Sequence, residues 1–199
     1  MKQITFKEYR SIDLLMLTIM VIVFEAIATY ASGKWFHLQA MNISVSLVMI
    51  CITMMRWNAF AVIQALAGGI VYCIAAGASP EQYIIYCVGN LFALIALVWI
   101  KLFGKERIRK DVLKLISFVI LAYLGMTGGR CLVSLLFGGH IKALIAYVTT
   151  DIISLLFATV VLILLRNTDG MIEDQKTYLL RVEKERKEDS TYEENDVIL

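Results

Sequence analysis

Six long apolar stretches, separated by short polar or charged segments, dominate the hydrophobic pattern of this chain. They cover residues 12–32, 38–55, 59–77, 83–100, 112–137 and 143–165. A transmembrane helix needs about 20 mainly apolar residues, and each stretch is long enough. The first stretch also exceeds the roughly 7–15 apolar residues of a signal peptide. The pattern therefore predicts an all-α membrane protein with six transmembrane helices, in one domain over residues 1–166.

The composition favours a bilayer over a soluble core. Hydrophobic residues make up 59% of the 199 residues and charged residues 18%, with a mean hydropathy of +0.73. Soluble domains hold roughly 45–50% apolar residues. A soluble fold of this length could not hide so much apolar surface, whereas a membrane can accommodate it.

Basic residues are distributed very unevenly between the segments that join the spans. Eleven of them fall on one side: Lys2, Lys7, Arg10, Arg56, Lys101, Lys105, Arg107, Arg109, Lys110, Lys114 and Arg166. The opposite loops carry only Lys34 and Lys142. Cytoplasmic loops are enriched in Lys and Arg. The bias predicts a multi-pass protein of the cell membrane with both termini in the cytoplasm.

The tail over residues 167–199 differs from the rest of the chain. It contains ten acidic and five basic residues. Residues 171–189 are typical of an amphipathic cytoplasmic helix, with i,i+4 ion pairs such as Arg181/Glu185. Two interpretations stay open, a solvated helix and a helix that docks on a partner. The negative charge argues against binding of this tail to anionic lipid headgroups.

Small residues recur at helical spacing in three spans. Span 3 has Ala61, Ala65, Gly69, Cys73 and Gly77, span 5 has Gly125 and Gly129, and span 4 has Gly89 and Ala93. Small residues allow helices to approach closely within lipid. The pattern predicts tight packing among spans 3 to 5.

Polar residues within the spans are few and mostly share one half of the membrane. Glu25, Asn42, Asn90, Arg130 and Asp151 come from five different spans, and all lie in or near the outer half. Only Gln64 falls in the inner half. Charged residues in a membrane pair with each other or face a cavity. Arg130 either locks helices together through Glu25 or Asp151, or it belongs to a polar pocket open to the outside.

Aromatic residues near the outer end extend this candidate site. Tyr83, Tyr86 and Trp35 could stack against a flat ring, and Arg130 could pair with a carboxylate or phosphate of a substrate. The alternative for each aromatic residue is an anchor at the membrane interface. The candidate substrate-binding residues are therefore Glu25, Asn42, Asn90, Arg130, Asp151, Tyr83, Tyr86 and Trp35.

No sequence motif of an enzyme is present. The chain has no HExxH, GxSxG, P-loop or GxGxxG pattern. The four cysteines form no CxxC pair, and no histidine stands beside them at ligand spacing. We therefore expect no catalytic site, no metal, no cofactor and no nucleic-acid partner.

The architecture and one segment resemble the substrate-binding S component of energy-coupling factor (ECF) transporters. The segment runs from Met55-Arg56-Trp57-Asn58 to Gly68-Gly69 and on through Ala76-Gly77-Ala78-Ser79-Pro80-Glu81-Gln82-Tyr83. It is similar to members of that group from Gram-positive bacteria. The resemblance covers about residues 10–166 and excludes the acidic tail.

The resemblance implies uptake of a vitamin or other micronutrient. It implies a small-molecule site near the outer face. It also implies, as a partner on the cytoplasmic side of the lipid membrane, an energising module of one transmembrane coupling subunit and an ATPase pair. S components commonly carry an Ala-x-x-x-Ala pattern early in span 1, but the inner half of this span has no alanine.

Two other function classes remain open. One is a non-transporting scaffold subunit that recruits a cytoplasmic partner through the C-terminal helix. The other is a small channel or ion-coupled carrier. A channel needs a continuous polar path, yet the inner half offers only Gln64, and no 3+3 inverted repeat is visible between residues 12–77 and 83–165.

Overall fold

The computed structural model describes residues 5–35 and 43–196, with side chains as far as residue 185. This part of the chain is helical and contains no strand, so the all-α prediction is confirmed. Short 3₁₀ turns over Asn58–Ala61 and Phe92–Ala96 join α2 to α3 and α4 to α5. The helices are α1 (Phe6–Trp35), α2 (Ser46–Trp57), α3 (Val62–Ala76), α4 (Pro80–Leu91), α5 (Leu97–Phe103), α6 (Lys105–Lys110), α7 (Val112–Leu136), α8 (Ala143–Thr150), α9 (Ile152–Leu165) and α10 (Gln175–Asp196).

Several helical segments are long and apolar enough to cross a bilayer. Four qualify alone, and α8 with α9 makes a fifth if the bent pair is one span. The four are Phe6–Trp35, Ser46–Ala76, Pro80–Phe103 and Val112–Leu136. Large apolar side chains lie exposed on their outer faces, among them Leu15, Ile74 and Leu136. Soluble proteins rarely expose contiguous apolar surface on this scale, so these faces are compatible with a membrane location.

The segment Ser46–Ala76 folds back on itself. At Asn58 the backbone leaves the helical region, with φ 54° and ψ −121°. The side chain of Ser46 lies directly against Gly68, where an added Cβ would clash with it. In one straight helix these two residues would lie about 33 Å apart. Helices α2 and α3 are therefore an antiparallel pair joined at Asn58.

Helix α2 lies at the centre of the bundle. All twelve of its residues are buried, and it packs against α1, α3, α7 and α9. The core around it contains Leu47, Ile50 and Met54 from α2, with Phe118 and Met126 from α7. Because α2 is surrounded by other helices, its apolar residues cover the whole helix instead of forming a stripe.

The starts of α2 and α4 are among the boundaries that differ from the sequence prediction. The predicted start of span 2 at residue 38 lies outside the described ranges, but residues 43–45 are not helical and α2 begins at Ser46. Helix α4 begins at Pro80 and not at 83, because Ser79 and Gln82 form a capping box. Such a box satisfies two free N–H groups at a helix start.

The last predicted span and the tail helix also differ from expectation. Residues 143–165 form α8 and α9, which meet at Asp151 with a bend of 43°. Helix α10 begins at Gln175, four residues later than predicted. The segment before it, 169–174, is not helical because its backbone binds the end of the bundle, as described below.

Glycines mediate the close helix contacts that the small-residue pattern predicted. A Cβ at Gly69 would lie 3.0 Å from the Cα of Cys87, and one at Gly129 would lie 2.7 Å from the carbonyl oxygen of Gly89. Helices α3, α4 and α7 therefore approach each other through backbone atoms. The predicted tight packing among these helices is confirmed.

Candidate functional site

A buried polar cluster is centred on Arg130 of α7. The glycine at position 89 of α4 lets α7 come close, since a Cβ there would lie 2.7 Å from the Cα of Arg130. This close approach places the arginine side chain between α3, α4, α7 and the α8–α9 junction. Arg130, Asn90 and Asp151 are each at most 3% exposed.

Hydrogen bonds occupy most of the donors of this guanidinium. Its Nε and Nη2 atoms donate to Asn90 Oδ1 at 3.0 and 2.8 Å. Its Nη1 atom forms an ion pair with Asp151 Oδ2. Asn90 in turn donates from Nδ2 to the carbonyl of Ala65 at 3.2 Å. The cluster therefore ties four helical segments together through one cation.

Tyrosine rings cover the guanidinium. Its Cζ atom lies 4.6 Å from the ring centre of Tyr86, an arrangement that favours a cation over the negative face of the ring. Tyr72 stacks on Tyr86 with ring centres 4.4 Å apart, and Tyr147 meets Tyr86 edge-on at 6.4 Å. The arrangement combines a charge, an amide and flat aromatic surface in one place.

Asp151 occupies the break between α8 and α9. Its φ of −97° and ψ of 9° interrupt the helix, and the two halves meet at 43°. Helix α8 has no buried residue, and its contacts with α7 include a hydrogen bond from the Tyr123 hydroxyl to the carbonyl of Val148. Helices broken within a membrane commonly mark binding sites in transporters. The short helix α8 lies beside the cluster and meets α9 at the break next to Asp151.

Glu25 does not join this cluster. Its carboxylate accepts hydrogen bonds from the Ser44 hydroxyl at 2.8 Å and from the N–H groups of Val45 at 2.7 Å and Ser46 at 2.8 Å. These groups lie at the start of α2, where free N–H groups and the helix dipole favour a negative charge. Glu25 thus fixes the beginning of the central helix, which the sequence pattern could not reveal.

The remaining predicted site residues have different locations. Tyr86 belongs to the Arg130 cluster, as do Asn90 and Asp151. Tyr83 is half-buried on α4 and forms none of the contacts described above, while Trp35 is 74% exposed at the end of α1. Asn42 lies outside the described residues. The structure therefore brings together four of the eight candidates.

A second polar network, which the sequence analysis missed, lies at the opposite end of the bundle. Arg56 at the end of α2 forms an ion pair with Asp13 of α1, and Trp57 donates to the same carboxylate. The Arg56 guanidinium also donates to the carbonyls of Gly170 and Met171. The segment that precedes α10 is therefore bound to the helices and does not extend freely.

Further contacts hold the same segment in place. Ile172 and Gln175 are completely buried, and Gln175 accepts a hydrogen bond from the Tyr9 hydroxyl at 3.1 Å. Lys105 and Asp174 form an ion pair. Burial lowers the pKa of Lys105. Burial raises the pKa of Asp174, but hydrogen bonds and charge from Lys105 more than offset this, so it lies below its ordinary value.

Comparison with protein-family models, with curated proteins and with solved structures gave no significant match to this chain.

Proposed function

We propose that the chain crosses the membrane six times, with both termini in the cytoplasm, and serves as the substrate-binding subunit of an ECF-type micronutrient transporter. The six crossings are supported by the antiparallel α2–α3 pair, which adds one crossing to the segments that qualify by length. They are also supported by the antiparallel arrangement of α1 and α2. Asp13, early in α1, meets Arg56, late in α2, and Glu25, later in α1, meets Ser46 at the start of α2.

The observation that carries the binding proposal is the helix break at Asp151 beside the buried Arg130. If the buried ion pair served only to lock the bundle, a helix with an uninterrupted backbone would be sufficient. Here the ion pair instead joins a fixed helix to a break, which we take as a hinge, beside a short helix that has no fully buried residue. Movement of α8 at this hinge would open the cluster toward the outside. It would present a guanidinium, an amide and tyrosine rings to a small polar or aromatic substrate.

The cytoplasmic partners in this proposal are a transmembrane coupling subunit and an ATPase pair. The chain carries no nucleotide-binding motif, so uptake against a gradient would draw its energy from such partners. The membrane lipid is the remaining partner, in contact with the exposed apolar faces of the bundle.

A second candidate function is a scaffold that recruits a cytoplasmic protein through α10. The specific observation in its favour is the clamped segment at residues 169–175, which fixes the starting point of α10. A groove of about 400 Å³ lies beside it, lined by Lys105, Arg109, Asp174, Tyr178 and Arg181 among others. A fixed helix next to a groove is suited to hold a partner.

Both candidates are tested by purifying the full chain from membranes of its host in mild detergent. We expect a small molecule to co-purify in a fixed molar ratio, measurable by mass spectrometry, together with an ATPase pair and a coupling protein. Arg130→Lys keeps the charge but loses the two-pronged contact with Asn90, so the ratio should fall at least about ten-fold.

The matched control is Glu25→Gln, which neutralises a carboxylate equally well buried but outside the cluster. It should lower the melting temperature and leave the molar ratio unchanged. Deleting residues 176–199 should leave the ATPase pair bound. If no small molecule is found and the cytoplasmic proteins disappear with this deletion, the scaffold function replaces the transport function.

A further inference from the structure

Arg166, which follows α9, contains buried polar atoms that have no protein partner. Its Nε and Nη1 atoms are inaccessible to solvent and make no hydrogen bond among the described residues. A guanidinium offers five N–H donors in a fixed planar arrangement. Leaving such donors buried and unpaired is costly, since an unsatisfied charged group loses its hydration without replacement. An acceptor from outside the chain would remove that cost.

The surroundings of Arg166 attract an anion. The side chain lines a recess of about 300 Å³ together with Arg109, Lys110, Asn167 and Asp169. Three of these five residues are cationic and one is anionic. Arg109 is already paired with Glu173 through its Nη1 atom, and Lys110 with Glu106 at 2.7 Å on the exposed surface. Arg166 is therefore the lining cation that lacks a carboxylate.

The acidic residue that lines the recess, Asp169, does not neutralise Arg166. Asp169 lies 3.9 Å from Arg109 Nη1, and its side chain is 80% exposed. It forms no ion pair with Arg166 among the described residues. Because Nε and Nη1 of Arg166 are closed off from solvent, an anion that enters the recess would reach them only after the arginine side chain turns toward it.

The recess lies where the helices leave the apolar region. Arg166 ends α9, and Arg109 and Lys110 lie on α6 just before the start of α7. Both positions adjoin the exposed apolar surface of the bundle, and they fall on its basic side. Basic pockets between helices at the cytoplasmic surface bind phosphorylated lipid headgroups.

We infer that this recess binds a phosphate group, with Arg166 donating hydrogen bonds to its oxygens and Lys110 adding positive charge. Phosphate suits the site because its several oxygens can accept from two cationic side chains at once, and because arginine binds it with paired hydrogen bonds. The phosphate can belong to an anionic phospholipid or to a soluble phosphate compound. The inference does not depend on what the Arg130 cluster binds.

The test measures binding to the full chain in detergent by microscale thermophoresis. The probes are a short-chain phosphatidylglycerol, the matching phosphatidylcholine, glycerol 3-phosphate and inorganic phosphate. We expect the chain to bind at least one anionic phosphate probe. Arg166→Gln should weaken this binding about ten-fold or more, since hydrogen bonds to charged groups are the strong ones. Lys110→Gln should weaken it to a smaller extent.

The matched control is Arg107→Gln, which removes the same charge from an exposed position of α6 outside the recess. It should leave the affinity unchanged. Binding of phosphatidylglycerol alone assigns the site to a lipid headgroup, and binding of the soluble probes as well assigns it to phosphate compounds in general. Equal affinities in Arg166→Gln, Arg107→Gln and the wild type would overturn the inference, as would failure of every phosphate probe to bind a folded wild-type chain. Should Arg166→Gln not fold, Lys110→Gln against Arg107→Gln decides the same question.

Discussion

Arginine side chains organise the polar contacts at both ends of the bundle. Arg130 joins α3, α4, α7 and the α8–α9 junction near one end, and Arg56 joins α1, α2 and the segment before α10 at the other. Each guanidinium serves several acceptors on different helices, which a lysine ammonium does less well because it lacks the planar arrangement of donors. Arg166 differs from these two arginines, because donors of its guanidinium are unpaired.

The ion pair between Lys105 and Asp174 predicts a dependence of stability on pH. The pKa of Asp174 lies below its ordinary value of 3.8 in the folded chain, so the folded state favours the charged carboxylate. The contribution of the Asp174 carboxylate to folding stability is therefore fully present above its ordinary pKa and is lost as the pH falls through the lowered pKa. We expect Asp174→Asn to lower stability at pH 7 by about 1 kcal/mol, given the partial exposure of the pair. As the pH falls below 4, the stability of the variant should decrease by less than the stability of the wild type.

Thermal unfolding in detergent at pH 7 and at pH 3.5 measures both effects. Glu106→Gln is the matched control, since Glu106 pairs with Lys110 on the fully exposed surface and should change stability little. Equal pH profiles for Asp174→Asn and the wild type would show that the ion pair does not hold the tail segment in place.

Helix breaks, more than helix lengths, give this bundle its shape. The break at Asn58 reverses the chain between α2 and α3, and the break at Asp151 places a carboxylate at a hinge. Both occur without proline, the residue that most often interrupts a helix. At Asn58 a positive φ is tolerated because asparagine adopts left-handed backbone angles more readily than most residues.

Adjacent glycines on α7 allow a direct test of helix packing. Gly129 lies against Phe92 and the backbone of Gly89, whereas a Cβ at the neighbouring Gly128 would meet no atom within 4 Å. Gly129→Leu should therefore force α4 and α7 apart and destabilise the protein by at least about 1–3 kcal/mol. Gly128→Leu, the same substitution one residue away, should have little effect.

Thermal melting of the two purified variants checks this expectation. A similar melting temperature for both would mean that α4 and α7 do not approach as closely as described. Because both changes add the same apolar side chain to the same helix, differences in hydrophobicity or helix propensity cannot explain a difference between them.

At the scale of the whole molecule, the number of crossings and their direction can be measured. With six crossings and cytoplasmic termini, single cysteines at positions 34 and 81 should react with a membrane-impermeant reagent in intact cells. Cysteines at positions 105 and 185 should react only after lysis. The four native cysteines would first be replaced by alanine or serine, since Cys87 is only half-buried. Labelling at position 105 in intact cells would contradict six crossings with this orientation.

The acidic tail is also placed differently in the whole molecule than its sequence suggests. Its charge is typical of a solvated extension, and residues 171–174 were predicted to be helical. In the structure Ile172 is buried, and Arg56 binds the carbonyls just before it. The tail therefore begins as part of the bundle, and its first helical residue, Gln175, is still buried there.

The sequence by itself determined the helical fold and the position of the apolar segments, because both follow from local hydrophobicity and chain length. It also identified Asn90, Arg130, Asp151 and Tyr86 as polar or aromatic residues that share one half of the bundle. It identified the tight contacts of α3, α4 and α7 as well, because glycine spacing is itself a packing signal.

Only the tertiary structure decided which charged groups meet. Whether Arg130 pairs with Glu25 or Asp151 depends on how helices far apart in sequence are arranged, and both carboxylates lie at a similar depth. In the structure Arg130 pairs with Asp151, and Glu25 binds the start of α2 instead. The hydrophobic pattern also did not predict the breaks at Asn58 and Asp151. Nor did it predict the clamped segment before α10 or the unpaired donors of Arg166. Each depends on contacts between segments that hydrophobic periodicity does not encode.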